Sequence, residues 1–236
     1  MSESTPSVNA EEHQGPRITI AEDGPFVLSG DVRITRRRKV TSDQGEPLTW
    51  ETTERLADGD GAWLCRCGGS SNKPYCDDTH LTNGFDGTAA AAPTTYAERA
   101  KKLGGERIVV RDDRSICEHA GFCSNKLTNV WRMAAGDADA DVVTRTAMVG
   151  MIANCPSGAL TYALVDDGPA VEQQLAPGVA VVADGPLFVS GGVEVRHADG
   201  TAYEQRNRMT LCRCGQSNNK PFCDGTHAAV DFHDGG

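Results

Sequence analysis

Two stretches of the chain carry the same metal-binding side chains at the same spacing. The residue types are three cysteines and one histidine, found first as Cys65, Cys67, Cys76 and His80 and again as Cys212, Cys214, Cys223 and His227. Residues 65–80 and 212–227 are identical at 12 of 16 positions. Three thiolates and one imidazole from one short loop are a suitable ligand set for a transition metal or an iron–sulfur cluster.

Three further cysteines lie between the repeats, namely Cys117, Cys123 and Cys155, and the last is followed by proline. Bacterial ferredoxins use the run C-x2-C-x2-C with a remote Cys-Pro. Here Ala120 occupies the middle position, so three thiolates remain. Such a set predicts a [3Fe–4S] cluster, or a [4Fe–4S] cluster whose fourth ligand is His119 or an external group. The alternative is three free, buried cysteines in a small helical domain.

Composition limits the class of partner and the compartment. All nine cysteines belong to the three sets, which a disulfide framework would not explain, so we expect a reducing compartment, the cytoplasm. A net charge of −10 argues against nucleic acid or an anionic membrane as partner. No nucleophile–base pair and no phosphate-binding glycine loop is found, so no catalytic residue is predicted and we do not expect an enzyme.

The elements that position the terminal sets are predicted to be β-rich. An Asp-Gly-Pro turn with strand-forming residues on both sides precedes each set, at residues 23–25 and 184–186. The first copy has about fourteen extra residues, in the polar stretch 39–60. Cys76 and His80 are four residues apart, which places two side chains on one face of a helical turn.

The central stretch has a mixed pattern. Residues 107–111 and 161–165 are typical of strands. Apolar residues recur at helical spacing over 127–134 and 147–152, with a polar loop at 135–141 between them. We therefore predict an α+β protein in which small β-rich units flank a small α+β domain. The predicted boundaries are a disordered arm (1–16), a first unit (17–87), a linker (88–104), a central domain (105–166), a second linker (167–178) and a last unit (179–236).

Both terminal sets resemble the CDGSH iron–sulfur (NEET-type) motif over the full run C-R-C-G-x-S-x-N-K-P-[YF]-C-D-[DG]-T-H. The resemblance implies a [2Fe–2S] cluster in each copy, with the two cysteines of C-R-C on one iron and the remaining cysteine and histidine on the other. The first copy departs at Asp78, where the motif and the second copy (Gly225) have glycine. If the position requires a positive φ, aspartate is tolerated there at some cost. The central domain resembles divergent single-cluster ferredoxin-like domains through residues 116–123 and 154–160.

These ligand sets predict a one-electron carrier that serves a redox partner protein. A neutral imidazole in place of a thiolate raises the reduction potential, and a protonated imidazole cannot hold iron. His80 and His227 therefore also suit a redox or pH sensor, or a cluster donor to an apo iron–sulfur acceptor. A third hypothesis is a zinc-stabilised interaction module, although zinc sites usually pair their ligands as C-x2–4-C. We expect the two terminal copies to pack together as an internal pseudo-dimer.

Overall fold

A computed structural model describes residues 15–58, 60–136 and 141–235. Most of the predicted arm at 1–16 and the centre of the predicted loop at 135–141 lie outside the described residues. The elements are β1 (Arg17–Ile20), β2 (Phe26–Ser29), β3 (Arg33–Thr41), β4 (Pro47–Asp58), β5 (Trp63–Leu64), α1 (Tyr96–Arg99), β6 (Lys101–Gly104), β7 (Val109–Asp112), α2 (Val130–Ala135), α3 (Val142–Ala153), β8 (Leu160–Ala163), β9 (Gly178–Val182), β10 (Leu187–Ser190), β11 (Glu194–His197), β12 (Arg208–Leu211) and α4 (Thr226–Ala229). The predicted α+β class, with β-rich ends and a mixed centre, is confirmed.

Each of the two larger sheets takes strands from both ends of the chain. The first has the order β11-β1-β2-β5 and the second the order β12-β10-β9-β3-β4. β1 pairs in parallel with β11, and β9 pairs in parallel with β3. β1 and β9 are equivalent strands, since each precedes an Asp-Gly-Pro turn, and β3 and β11 are equivalent strands, since each follows a hairpin. The two parallel pairs, β1 with β11 and β9 with β3, are therefore the same exchange of strands between the repeats. Each repeat therefore extends the sheet of the other.

The two sheets share one hydrophobic core. In β1 the buried residues Ile18 and Ile20 alternate with partly exposed ones, as expected for a strand with one apolar face. The core residues come from both repeats and are each at most 2% exposed: Ile18, Ile20, Phe26, Leu28, Val32, Ile34, Leu64, Val179, Val181, Leu187, Val189, Val193, Val195, Met209 and Leu211. The two terminal repeats are thus one packed body.

The extra residues of the first copy lengthen the β3–β4 hairpin, which reaches the central domain. The Trp50 ring lies 5.0 Å from that of Phe122, and Trp50 Nε1 donates a hydrogen bond to Asn154 O at 3.0 Å. Near the tip, Lys126 N donates to Glu46 Oε1 at 2.6 Å. The insertion therefore fixes the central domain against the terminal body.

The central domain has the sheet β6-β7-β8, against which α2 and α3 pack. The strand predicted at 107–111 is observed as Val109–Asp112. Leu127, predicted within a helix, is 86% exposed and precedes it, because Asn129 caps α2 by accepting from Arg132 N. Lys101–Gly104, predicted in the linker, forms β6 and pairs with β7. No helix among the described residues is long and apolar enough to cross a bilayer.

Candidate metal centres

The N-terminal ligand loop brings its four predicted ligands together as two pairs. Cys65 and Cys67 follow β5, and their Sγ atoms lie 3.8 Å apart. Cys76 Sγ lies 3.4 Å from His80 Nδ1. Two backbone hydrogen bonds close the loop, from Cys65 N to Pro74 O at 2.8 Å and from Cys76 N to Trp63 O at 2.9 Å. The chain turns after the first pair at Gly68, which has a φ of 77°.

The C-terminal ligand loop has the same geometry. The Sγ atoms of Cys212 and Cys214 lie 3.7 Å apart, and Cys223 Sγ lies 3.3 Å from His227 Nδ1. Gly215 has the same φ of 77° as its counterpart. In both loops the peptide bond before the shared proline is cis, at Lys73–Pro74 and Lys220–Pro221.

The helical turn predicted to hold Cys76 and His80 begins later than expected. A 3-10 turn spans Thr79–Leu81, and Asp77 Oδ1 accepts from Thr79 N at 3.1 Å, so Cys76 lies outside the turn. Asp78, whose backbone lies in the left-handed region, instead brings Cys76 and His80 together. Its φ is 65°, and Gly225 at the same position of the second copy has a φ of 88°. Both copies therefore have a positive φ at this position, which the sequence left open.

The two side chains of each pair are close enough to bind one metal ion, but the four ligand atoms of a set are too far apart to bind the same ion. Two ligands of one tetrahedral thiolate site, with bonds of about 2.3 Å, lie about 3.8 Å apart. The pairs at 3.8 and 3.4 Å meet this condition. Among the described residues, only Cys76, Asp78 and His80 form a group of three or more whose ligand atoms all lie within 4.8 Å of one another. Both pairs of a terminal set therefore cannot converge on a single ion without movement.

Burial favours the protonated form of several of the ligand thiols. Burial raises the pKa of Cys65 and of Cys76, although backbone N–H groups oppose the shift. Burial also raises the pKa of Cys223 well above its ordinary value. A thiol that resists ionisation in the free loop becomes a thiolate only beside positive charge, so metal binding here releases protons.

The three central cysteines line one cavity of about 190 Å³. Cys117 ends a 3-10 turn at Arg114–Ile116, and Cys155 follows the C-terminus of α3. Burial raises the pKa of Cys117 and of Cys123. Ala120 lines this cavity where the ferredoxin run would supply a further cysteine.

His119 lines the same cavity and also touches the C-terminal ligand loop. Its φ is 62°, and a Cβ added at Gly225 would lie 2.8 Å from His119 Cδ2. The neighbouring Glu118 is 5% exposed, and its Oε2 has no hydrogen-bond partner within the described part of the chain. Burial raises the pKa of Glu118 to about 7, and the charge of Lys39 opposes the shift.

Family comparisons agree with this layout. Residues 23–81 and 184–228 match the model described as iron-binding zinc finger, CDGSH type. Residues 103–165 match the divergent 4Fe-4S mono-cluster model. Two segments of this chain are thus similar to CDGSH-type iron-binding domains, and they flank one segment similar to divergent mono-cluster domains, which is the predicted layout. No curated protein and no solved structure matches it.

Two buried arginines support the CDGSH ligand loops, and sequence reasoning did not assign them a role. Arg66 donates to the carbonyls of Gly24 and Gly87, at 2.8 and 3.0 Å. Arg213 donates to Gly185 O at 2.8 Å and to Asp234 Oδ2 at 2.8 Å. The repeat itself could have indicated their role, because an arginine lies between the first two ligand cysteines in both copies. The matching Phe85 and Phe232 lie over these guanidinium groups, at 5.1 and 5.3 Å.

The two CDGSH loops touch each other through their backbones. A Cβ at Gly68 would lie 2.6 Å from Cys214 O, and a Cβ at Gly215 would lie 2.7 Å from Cys67 O. Burial lowers the pKa of Arg66, and the charges of Asp23 and of Cys212 in the opposite unit oppose that shift. The ligand loops are therefore adjacent across the centre of the terminal body, and only glycine permits the contact.

Proposed function

We propose that this protein transfers single electrons between partner proteins. Each CDGSH unit would hold a [2Fe–2S] cluster by three cysteines and one histidine, and the central cavity a [3Fe–4S] or [4Fe–4S] cluster by Cys117, Cys123 and Cys155. A bound cluster supplies reversible one-electron chemistry at a potential set by its ligands, hydrogen bonds and exposure. One observation supports this role above others: the three ligand loops are in direct contact, through Gly68 with Cys214 and through Gly225 with His119.

The chain's own residues would tune the sites. Gly69 N lies 3.4 Å from Cys67 Sγ and Asp78 N lies 3.5 Å from Cys76 Sγ, and both donate hydrogen bonds to sulfur. Such bonds stabilise the more negative state and raise the potential. The first two cysteines of each loop are at most 9% exposed, so water is largely excluded from that half of each site.

Mononuclear zinc suits this geometry less well than a two-metal cluster. A closed structural zinc site would need all four ligand atoms around one ion. The two pairs of each CDGSH set do not converge in that way within the described residues. The strand exchange between β1 and β11 and between β3 and β9 supports a further proposal, that the units act as an internal pseudo-dimer.

Cluster donation is a second candidate function, and one observation favours it. Cys76 and His80 are both partly exposed and lie beside the exposed carboxylate of Asp78. An exposed pair with a protonatable imidazole is a suitable place for an apo acceptor to remove a cluster. Donation predicts that an apo ferredoxin acquires cluster faster than the donor site loses it alone.

Iron, acid-labile sulfide and zinc content of anaerobically purified protein, with EPR of both redox states, tests the proposal. We expect iron and sulfide without zinc, and reversible reduction of two kinds of centre. A colourless protein that contains zinc would refute it. Reduced clusters that pass no electron to any acceptor protein would refute the carrier role and leave donation. We propose no catalytic residue.

A further inference from the structure

The two CDGSH sites have nearly the same sequence but different surroundings. In the N-terminal site, Cys76 and His80 are partly exposed, and Asp77 and Asp78 beside them are exposed. In the C-terminal site, the equivalent Cys223 is only 2% exposed. His80 and His227 are both partly exposed, so the two sites differ at the cysteine: a partner protein can approach Cys76 more closely than Cys223.

The central domain covers the C-terminal site. A Cβ at Gly225 would lie 2.8 Å from His119 Cδ2 and 3.1 Å from Glu118 O. Asn219, in the same ligand loop, donates from Nδ2 to Ser115 O at 2.8 Å. This contact leaves no room for a side chain at Gly225, whereas the equivalent Asp78 of the first site is exposed.

The contact with the central domain is held by a buried arginine. Arg208 of β12 is 6% exposed and donates from one nitrogen to Ile152 O at 2.9 Å and to Cys155 O at 2.7 Å. Its other terminal nitrogen contacts Glu172 Oε1 at 2.7 Å. β12 leads directly into Cys212, so one rigid element fixes the central ligand Cys155 relative to the C-terminal loop.

The contacts between loops define an order of sites. The central loop touches the C-terminal CDGSH loop through Glu118 and His119, and the C-terminal loop touches the N-terminal one through Cys214 and Gly68. Electron tunnelling rates fall steeply with separation, so neighbouring loops in direct contact exchange electrons faster than distant ones. The C-terminal site therefore lies between the other two.

We propose that the N-terminal CDGSH site exchanges electrons with an outside protein, and that the C-terminal site relays them to and from the central site. The inference rests on the electron-carrier function. The exposed carboxylates of Asp77 and Asp78 beside the N-terminal ligands predict a partner with a basic docking face, because complementary charge accelerates encounter.

Reduction of cytochrome c, a basic one-electron acceptor protein, tests the exchange site. The reduced holoprotein is mixed with it in a stopped-flow instrument at low ionic strength. Asp78→Asn removes one charge, and asparagine tolerates the left-handed backbone. Asp231→Asn is the matched control on the C-terminal unit, since Asp231 is also left-handed, with a φ of 51°, and 91% exposed. We expect Asp78→Asn to slow the bimolecular step about fivefold, with the difference lost at high salt, and Asp231→Asn to leave it unchanged.

Gly225→Asp tests the relay; Asp78→Gly, the reciprocal exchange in the first loop, should slow the bimolecular step as Asp78→Asn does but leave the number of phases unchanged. Aspartate at this position is compatible with a CDGSH loop, as the first copy shows, but at 225 it displaces His119 and Glu118. In Gly225→Asp we expect cytochrome c to be reduced in two phases, of which the slower carries the electrons stored at the central site. The magnetic interaction between the central and C-terminal centres in EPR should also weaken. Iron and sulfide content is measured for each variant, because loss of the C-terminal cluster would produce the same slow phase.

The outcomes separate this inference from the function on which it rests. Wild-type protein with reduced clusters that does not reduce cytochrome c would overturn the carrier function itself. Wild-type transfer that Asp231→Asn slows, or that Asp78→Asn leaves unchanged, would overturn the exchange site alone. A single fast phase of undiminished amplitude in Gly225→Asp would overturn the relay.

Discussion

Asp234→Asn should destabilise the protein strongly, because it removes the charge from a buried ion pair. Asp234 Oδ2 accepts from Arg213 at 2.8 Å and from Arg36 at 3.2 Å, while Oδ1 accepts from Asp184 N at 3.2 Å. The side chains of Asp234 and Arg213 are 0% and 1% exposed. Removing one partner of such a pair leaves an uncompensated charge and costs about 3 to 5 kcal/mol. Asparagine keeps one acceptor oxygen, so we expect about 3 kcal/mol.

Thermal unfolding of the holoprotein at pH 7, followed by circular dichroism, measures the effect. A loss of about 3 kcal/mol corresponds to a fall in Tm of about 6 to 12 °C for a chain of this size. The control is Glu51→Gln, in a pair with Arg38 whose N–O distance is also 2.8 Å but whose side chains are 47% and 63% exposed. Exposed pairs contribute less than about 1 kcal/mol. A Tm change in Asp234→Asn no larger than in the control would refute the reasoning.

The same pair predicts a pH dependence. Burial raises the pKa of Asp234, but the charge of Arg213 and its hydrogen bond outweigh burial, and the net pKa is lower than its ordinary 3.8. A carboxyl with a lower pKa in the folded state stabilises above its unfolded pKa, and this stability is lost as the pH falls through the folded pKa. The difference between wild type and Asp234→Asn should therefore narrow below about pH 4. Urea unfolding at several pH values measures it, and a constant difference would contradict the assignment.

Three further predictions concern the ligand loops and the hairpin. His80→Cys and His227→Cys should each lower the potential of their own site and slow acid loss of iron, as followed by EPR potentiometry and visible absorption; unchanged acid lability in both would contradict this. Gly215→Ala places a methyl group 2.7 Å from the opposite loop's carbonyl and should lower stability more than Gly200→Ala, which is also left-handed but has nothing within 4 Å; equal Tm values would count against the loop contact. Trp50→Ala removes a hydrogen bond and a ring contact to the central domain, so it should cost about 2 kcal/mol and speed proteolysis of the β3–β4 hairpin.

The ligand loops could be predicted from the sequence because their information is local. The spacing of the residues predicted that Cys65 lies next to Cys67 and Cys76 next to His80, and the structure has both pairs. The Asp-Gly-Pro turns predicted the hairpins before each loop. A single difference between the copies drew attention to position 78, where the structure has a positive φ. Each of these features depends on a few consecutive residues.

The pairing of strands between the two ends could not be predicted. Alternation in β1 shows which face is buried, but it does not identify the neighbouring strand, and the partner β11 begins at Glu194. The role of Arg66 was also hidden, since its carbonyl acceptors come from Gly24 and Gly87. Such contacts depend on tertiary packing, which local patterns do not specify.

The parallel exchange of strands has a consequence for synthesis. Arg17 pairs with Glu194 and Arg33 pairs with Gly178, so neither terminal sheet has all its strands until most of the chain has left the ribosome. Contacts so distant in sequence form late in folding. The first CDGSH loop is therefore translated long before its supporting sheet is complete, and stable insertion of iron at that loop should follow synthesis of the second repeat.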